Sequence, residues 1–379
     1  MNPLLEKLNE IIKTKGPITF KDFMQMALYY PGLGYYTSPG EKIGPRGDFY
    51  TSSDVHPLFG TMLARQFYQM WEYLGKPQSW ALVEWGAGKG LLALHILEAL
   101  GTSFPLAWKG LHYYIIEASP EMIKKQKELL TSFPQGKLSW VNNLSEAGDN
   151  GHIKGIIFGN ELVDAFPVHR VRQTNSGLKE IYVNWDEGKL VEVEGELSTP
   201  LLEEYFQTFG IKLVPGQTAE VNLAAREWLR EVATKLEQGF VLLIDYGMES
   251  PELYHPSRME GTLRCFRQHR LNNNPLNNVG QQDITAHVDF SALTHWGREA
   301  GLQPVGYTTQ MDFLLNLGIL EAIPRSKPEY VFDEKATRTV MAVKKLLLPE
   351  GMGRVFKVLA FAKGVGKPDL LGFVKKKTD

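Results

Sequence analysis

The sequence predicts an α/β protein on a Rossmann-like, doubly wound parallel sheet, and three observations carry that prediction. From Trp80 onward, short apolar runs alternate with helical patterns, the order that βαβ units require. The run Leu82-Val83-Glu84-Trp85 then breaks into Gly86-Ala87-Gly88-Lys89-Gly90 and restarts as a helical pattern at Leu91. Glycines at such a junction permit a tight bend and let a ligand lie against bare backbone. Finally, Glu84, Glu117, Asn142, Asn160 and Asp245 fall at the carboxyl ends of successive apolar runs, the edge where doubly wound sheets take their ligands.

Taken in order, the candidate strands are Ala81–Glu84, Leu111–Glu117, Lys137–Val141, Gly155–Gly159 and Gly239–Asp245. The helices expected between them are Leu91–Leu100, Pro120–Leu130 and Gln217–Glu237. Upstream, Met1–Gly16 has an amphipathic pattern, Thr19 can cap a helix running through Met26, and the apolar stripe of His56–Leu74 predicts a helix with one buried face. A long irregular segment lies between them, and its length favours a functional loop. Val168–Gln173, Glu180–Trp185 and Leu190–Val193 alternate in polarity around two turns, a β-meander inserted beside the sheet. Asp289 caps an expected helix at Phe290–Ala300, and two late strands are expected near Gln303–Thr309 and Arg354–Ala362.

The chain has 379 residues, enough for one large domain with insertions or for two. A formal net charge of -2 provides no electrostatic footprint for nucleic acid, so none is expected as a partner. The single cysteine, Cys265, excludes an internal disulfide and a cysteine-rich metal centre, and reads as a small buried apolar side chain. No apolar run approaches the roughly 18 residues of a membrane span. The N-terminal pattern lacks a signal-peptide stretch and carries Glu6 and Glu10, unlike an acid-poor transit peptide, so the expected location is cytoplasmic.

The glycine turn reads E-x-G-x-G-x-G. Leu91 stands where a dinucleotide fingerprint needs Gly or Ala, and no Gly-Lys-Ser/Thr closes a phosphate loop. An acid followed by G-x-G after a first strand instead resembles the first motif of class I S-adenosyl-L-methionine (SAM) methyltransferases. Glu117 ends the next strand, where a carboxylate can accept from both ribose hydroxyls of an adenosine. It lies 33 positions after Glu84, beyond the usual ~20 between glycine turn and ribose acid, and it also reads as a solvated strand-end acid. Asn142 is a candidate for the adenine edge, or an ordinary turn asparagine.

Gly159-Asn160-Glu161-Leu162-Val163-Asp164-Ala165-Phe166-Pro167 crowds polar groups at the end of an apolar strand. Asn160, Glu161 and Asp164 are the acceptor-side candidates. Two carboxylates three apart on one helical turn can grip a guanidinium and localise its charge; in the competing reading, Asn160 caps a helix whose dipole the acids complement. In Asp283-Ile284-Thr285-Ala286-His287-Val288-Asp289, His287 reads equally as a proton acceptor or substrate-orienting group and as a structural histidine. No second histidine or cysteine stands at ligand spacing, so no metal is expected.

Together these pieces resemble the MidA-like family of SAM-dependent methyltransferases, which includes the mitochondrial complex I assembly arginine methyltransferase. The resemblance rests on Tyr30-Pro31-Gly32-Leu33-Gly34-Tyr35-Tyr36, Gly47-Asp48-Phe49-Tyr50-Thr51-Ser52 and the glycine turn. It extends through the Asn160–Pro167 run, Ile244-Asp245-Tyr246-Gly247, Gly261-Thr262-Leu263-Arg264 and Asp283–Phe290. It implies a seven-stranded core (80–164 and 217–379), a helical N-terminal lid (1–79) and an inserted β-rich substrate region (165–216). It implies SAM as cofactor, with Asp48, Thr51, Ser52, Glu84, Gly86, Gly88, Glu117 and Asn142 on the cofactor side, and arginine N-methylation as the reaction. The implied partners are a protein substrate, a respiratory-complex subunit among the candidates, and optionally a second copy of the chain as a homodimer. Alternatives from other classes are a catalytically weak, methyltransferase-like assembly factor that binds such a subunit, and an NAD-dependent oxidoreductase, which the glycine pattern disfavours.

Overall fold

A computed structural model of the chain describes residues 2–40, 56–268, 270–323, 334–349 and 351–374. Asp48, Thr51 and Ser52 lie outside the described residues. The chain gathers into two units, and their borders differ from the expected division. One comprises Met1–Phe49, Val163–Trp228 and Gly247–Trp296, and the other Tyr50–Leu162, Leu229–Tyr246 and Gly297–Asp379.

The second unit holds the main sheet, whose strands we number within it: β1 Trp80–Trp85, β2 Leu111–Ile116, β3 Leu138–Val141, β4 Ile153–Asn160, β5 Leu236–Met248, β6 Gln303–Thr309 and β7 Phe356–Lys363. Their spatial order is β3-β2-β1-β4-β5-β7-β6. The first five pair in parallel, while β7 runs antiparallel to both β5 and β6. The strand order therefore reverses between β1 and β4, the switch point at which such sheets open a crevice. The central strands read as near-continuous apolar runs because both faces are covered: Leu82, Val83, Ile156, Ile157, Phe158, Leu242 and Leu243 are all buried.

The helix expected at His56–Leu74 forms over Pro57–Tyr73. It supplies Phe59, Leu63, Phe67 and Met70 to the core of this sheet-bearing unit, so this part of the expected lid is core. Phe67 meets Phe158 with ring centroids 5.0 Å apart.

The other unit contains the helices Pro3–Lys15 and Phe20–Tyr29. Thr19 caps the second by accepting from the Asp22 N–H at 3.1 Å. The expected meander is present as His169–Thr174, Gly177–Asp186 and Lys189–Gly195. The helix expected over Gln217–Glu237 begins later, because Thr218–Val221 is a strand paired with His169–Arg172. Its β-branched ends, Thr218 and Val221, suit a pleated surface, and the helix Leu223–Lys235 starts only where Asn222 Oδ1 accepts from the Ala225 N–H. Leu4, Leu8, Phe20, Phe23, Tyr35, Val183, Ile284 and the buried Cys265 form this unit's core, so the apolar reading of the thiol holds.

Replacing Phe158, which is fully buried against Phe67 and Tyr113, with alanine is expected to destabilise the sheet-bearing unit by about 3–5 kcal/mol. Urea denaturation followed by tryptophan fluorescence measures this, and a loss below about 1 kcal/mol would mean the site collapses around the gap.

Candidate functional site

Register brings the strand ends of the sheet-bearing unit into one row. Trp85 pairs with Ile116 and Glu84 with Phe158, while Asn160 pairs with Ile244. Just past β1 the Gly86 N–H donates to Ile116 O at 2.8 Å, next to Glu117, and Asn160 ends β4, the strand on the other side of β1. Asp245 follows directly on β5.

The turn after β1 is held in left-handed backbone at Gly86, Gly88 and Gly90, with φ of 77°, 53° and 82°. A side chain at Gly88 would be strained in that conformation. Gly90 precedes the helix Leu91–Ser103 and supplies no side-chain cap to its first-turn N–H groups, which leaves them open to an acceptor from a ligand.

Glu84 is buried and accepts from Tyr113 Oη at 2.7 Å. Burial, reinforced by the charge of Glu117 and opposed by the Tyr113 bond, pushes its carboxyl up to about 7. Glu117 is half-buried, with Oε1 accepting from the Ser119 N–H at 3.0 Å and Oε2 from Gln126 Nε2 at 3.1 Å. Burial raises its pKa, and the hydrogen bonds from Ser119 and Gln126 work against that rise. Asn142, exposed at the end of β3, gives its Nδ2 to both oxygens of Glu146 at 3.2 Å.

At the end of β4, Asn160 Nδ2 donates to Glu161 Oε1 at 3.1 Å, while Asn160 Oδ1 is buried without a hydrogen-bond partner among the described residues. Glu161 adopts a left-handed φ of 53°, uncommon for a residue with a side chain and typical of functional turns. β5 pins this turn: the Glu161 N–H donates to Ile244 O at 2.8 Å and the Leu162 N–H to Asp245 Oδ2 at 3.2 Å. Asn160 therefore caps no helix. Nor do Glu161 and Asp164 share a helical turn, since Glu161 precedes the short helix Val163–Ala165 that contains Asp164.

The row is thus a set of acids and amides around an open glycine turn. A ligand carrying a cationic centre, ribose hydroxyls and an ammonium group fits that set. The orphaned Asn160 Oδ1 needs a donor, Glu117 offers acceptor oxygens, and the left-handed φ of 77° at Gly86 favours a bare backbone there. SAM has those groups.

In the other unit, the remaining motifs meet one another. The Gly34 turn folds the chain back so that the Tyr35 and Tyr36 N–H groups donate to Ala27 and Leu28 carbonyls, both at 2.9 Å. Tyr36 Oη then donates to Asp283 Oδ1 at 2.7 Å. The Ala286 N–H donates to the carbonyl of the buried Asp164 at 3.0 Å, and the His287 N–H to Thr262 Oγ1 at 3.2 Å. Glu220 in turn accepts from the Thr262 N–H and hydroxyl. Burial, with the positive charges of Arg264 and Arg258, lowers His287 to about 4, so its imidazole is neutral near pH 7.

Gln126 and Tyr113 escaped the sequence reading. Gln126 left one trace: it sits four residues after Met122 on the buried stripe of Pro120–Leu129, where an apolar residue is expected.

Residues 62–308 match the family model Methyltransf_28, which describes S-adenosyl-L-methionine-dependent methyltransferases. The chain belongs to this family. Among its relatives, the protein named protein arginine methyltransferase NDUFAF7, mitochondrial, of Rattus norvegicus is 30% identical over 84% of this chain and 75% of its own length. The protein of that name from Xenopus tropicalis is 29% identical over 84% of this chain and 76% of its own. A solved methyltransferase-family structure from Burkholderia thailandensis with S-adenosyl-homocysteine bound is 34% identical. It superposes with a TM-score of 0.89, covering 98% of this chain and 94% of that one. This family membership makes the chain a SAM-dependent methyltransferase and agrees with the expected α/β fold. The expected cytoplasmic location is overturned, because the curated relatives are named as mitochondrial proteins. No helix among the described residues is long and apolar enough to cross a membrane.

Glu84 provides a pH test. The unfolded chain gives up this proton near 4.5, whereas the folded chain keeps it until about 7. Between those values the folded state binds more protons, so stability falls as pH rises, by up to about 3 kcal/mol. Glu84→Gln keeps an acceptor for Tyr113 without the charge. Its melting temperature relative to wild type is expected to be higher at pH 8 than at pH 5, and an equal difference at both would place the titration elsewhere.

Proposed function

We propose that this methyltransferase transfers the SAM methyl group to an arginine side chain of a protein substrate. The observation carrying the proposal is the turn after β4, where the buried, unpartnered Asn160 Oδ1 and the backbone-pinned Glu161 stand beside the glycine turn. In this reading Gly86 and Gly88 admit the cofactor against backbone, Glu117 accepts from its ribose, and Asn160 Oδ1 accepts from its ammonium group. SAM supplies an electrophilic methyl group on a sulfonium centre. The protein has to bring a nucleophile into line and keep water away.

An arginine nitrogen is a poor nucleophile because its lone pair is delocalised through a cation that stays protonated. A carboxylate paired with part of the guanidinium holds the charge at that end and frees the remaining nitrogen to attack. Glu161 is assigned that role. As the nitrogen–carbon bond forms, the sulfur–carbon bond breaks, the sulfur leaves neutral, and the methylated nitrogen yields its extra proton to a carboxylate or solvent. His287, neutral near pH 7 by its lowered pKa, fits a hydrogen-bonding role better than that of a strong base. The names of the relatives support the choice of acceptor, and the family resemblance favours a respiratory-complex subunit as the substrate.

Calorimetry with SAM and with S-adenosyl-homocysteine is the first test. Gly88→Val, which forces a branched side chain into left-handed backbone, is expected to weaken both ligands at least about 10-fold. Undiminished binding would remove the cofactor assignment.

Glu161→Gln keeps the amide contact to Asn160 but removes the charge. Methyl transfer to an arginine peptide is expected to fall about 100-fold with cofactor affinity nearly unchanged. Equal turnover would exclude Glu161. Peptides that lose arginine methylation in a deletion strain, relative to its parent, identify the substrate. If none does, the arginine assignment is wrong.

A further inference from the structure

Gln126 is fully buried on the helix Pro120–Leu129, and every hydrogen-bonding group of its amide is used. Its Nε2 donates to Gly88 O at 2.7 Å and to Glu117 Oε2 at 3.1 Å, and its Oε1 accepts from Trp140 Nε1 at 2.9 Å. The indole N–H can only donate, so the amide oxygen must face Trp140 and the NH2 group must face the carbonyl and the carboxylate. One side chain thereby ties together the turn after β1, the acid after β2 and the tryptophan of β3. The glycine turn also packs on its stem, since a side chain at Gly90 would meet Gln126 Cγ at 3.1 Å.

Those bonds have a directional consequence. Glu117 Oε1 is turned toward the Ser119 N–H and Oε2 toward Gln126, so the plane of the carboxylate is fixed before any ligand arrives. A preset acceptor pair avoids the ordering cost that a freely rotating glutamate would meet on binding. The same amide also holds the Gly88 carbonyl, which couples the height of the glycine turn to the angle of the acid.

We infer that Gln126 is the positioning residue that sets ribose recognition in this methyltransferase, by aiming the Glu117 carboxylate and the Gly88 turn as one unit. The inference rests on the reading of Glu117 as the ribose acceptor. Gln126→Leu keeps a side chain of similar size without the donors, and Trp140→Phe keeps an aromatic ring but removes the indole N–H that locks the amide.

The test is calorimetry on the full chain with S-adenosyl-homocysteine and its 2′,3′-dideoxy analogue, for wild type, Glu117→Ala, Gln126→Leu, the double variant and Trp140→Phe. Gln126→Leu is expected to weaken S-adenosyl-homocysteine about 10- to 100-fold and the analogue less than about threefold. The double variant should show the same loss as Glu117→Ala alone, because both changes remove one shared contact. Trp140→Phe should shift the preference the same way by about two- to fivefold.

A uniform loss for both ligands would assign Gln126 to packing alone and overturn the inference. So would an unchanged preference in Gln126→Leu when Glu117→Ala abolishes it, with the Glu117 reading left standing. An unchanged preference in Glu117→Ala would instead defeat the ribose reading itself and the inference with it. If Gln126→Leu does not fold, an unchanged preference in Trp140→Phe overturns the inference.

Discussion

The register of β1 against its two neighbours is the constraint on which the site depends. Parallel pairing holds Trp85 opposite Ile116 and Glu84 opposite Phe158, and from these two pairings the row Glu117, Gly86, Asn160 follows. A slip of one residue would send each side chain of a strand to the opposite face of the sheet. It would bury Glu84 away from Tyr113 and carry Asn160 out of line with the glycine turn. The register is fixed by packing on both faces, because Leu82, Ile115, Ile156 and Phe158 on one side and Val83 and Ile157 on the other are all buried and have no alternative seat.

Electrostatics at the row follows from that burial. Glu84, Glu117 and Asp245 stand within one stretch of strand ends, and each meets specific donors: Tyr113 for the first, Ser119 and Gln126 for the second, the Tyr246 and Leu162 N–H groups for the third. Buried acids cost stability unless a positive charge or sufficient hydrogen bonding compensates. The upward shifts of Glu84 and Glu117 show that compensation is incomplete in the free protein.

The sheet was legible because its central strands are buried on both faces and therefore carry unbroken apolar runs between glycine punctuation. Phe356–Lys363 was legible for the same reason, whereas Gln303–Thr309 is an edge strand without a buried residue. Thr218–Val221 was not, since its residues continue into a helical pattern and only the pairing with His169–Arg172, distant in sequence, makes them extended. In the site, the glycine turn, Glu84, Glu117 and Asn160 could be named from their place after apolar runs. Their partners could not. The reach of Gln126 to Trp140 and that of Tyr36 to Asp283 are tertiary facts that periodicity does not encode. The turn at Glu161 also broke the expected helical spacing with Asp164, because Asp245 and Ile244 hold it in left-handed backbone instead.

Cys265 lies in the core of the other unit. It is the chain's only cysteine and is fully buried among Leu4, Phe23 and Ile284, with its thiol pushed up to about 12 by burial. A sulfhydryl so sealed and so protonated reacts with alkylating reagents only when the surrounding core opens. The rate of its alkylation is therefore an intrinsic clock for opening of the core that carries the tyrosine and His287 motifs, readable in the native chain without an introduced label.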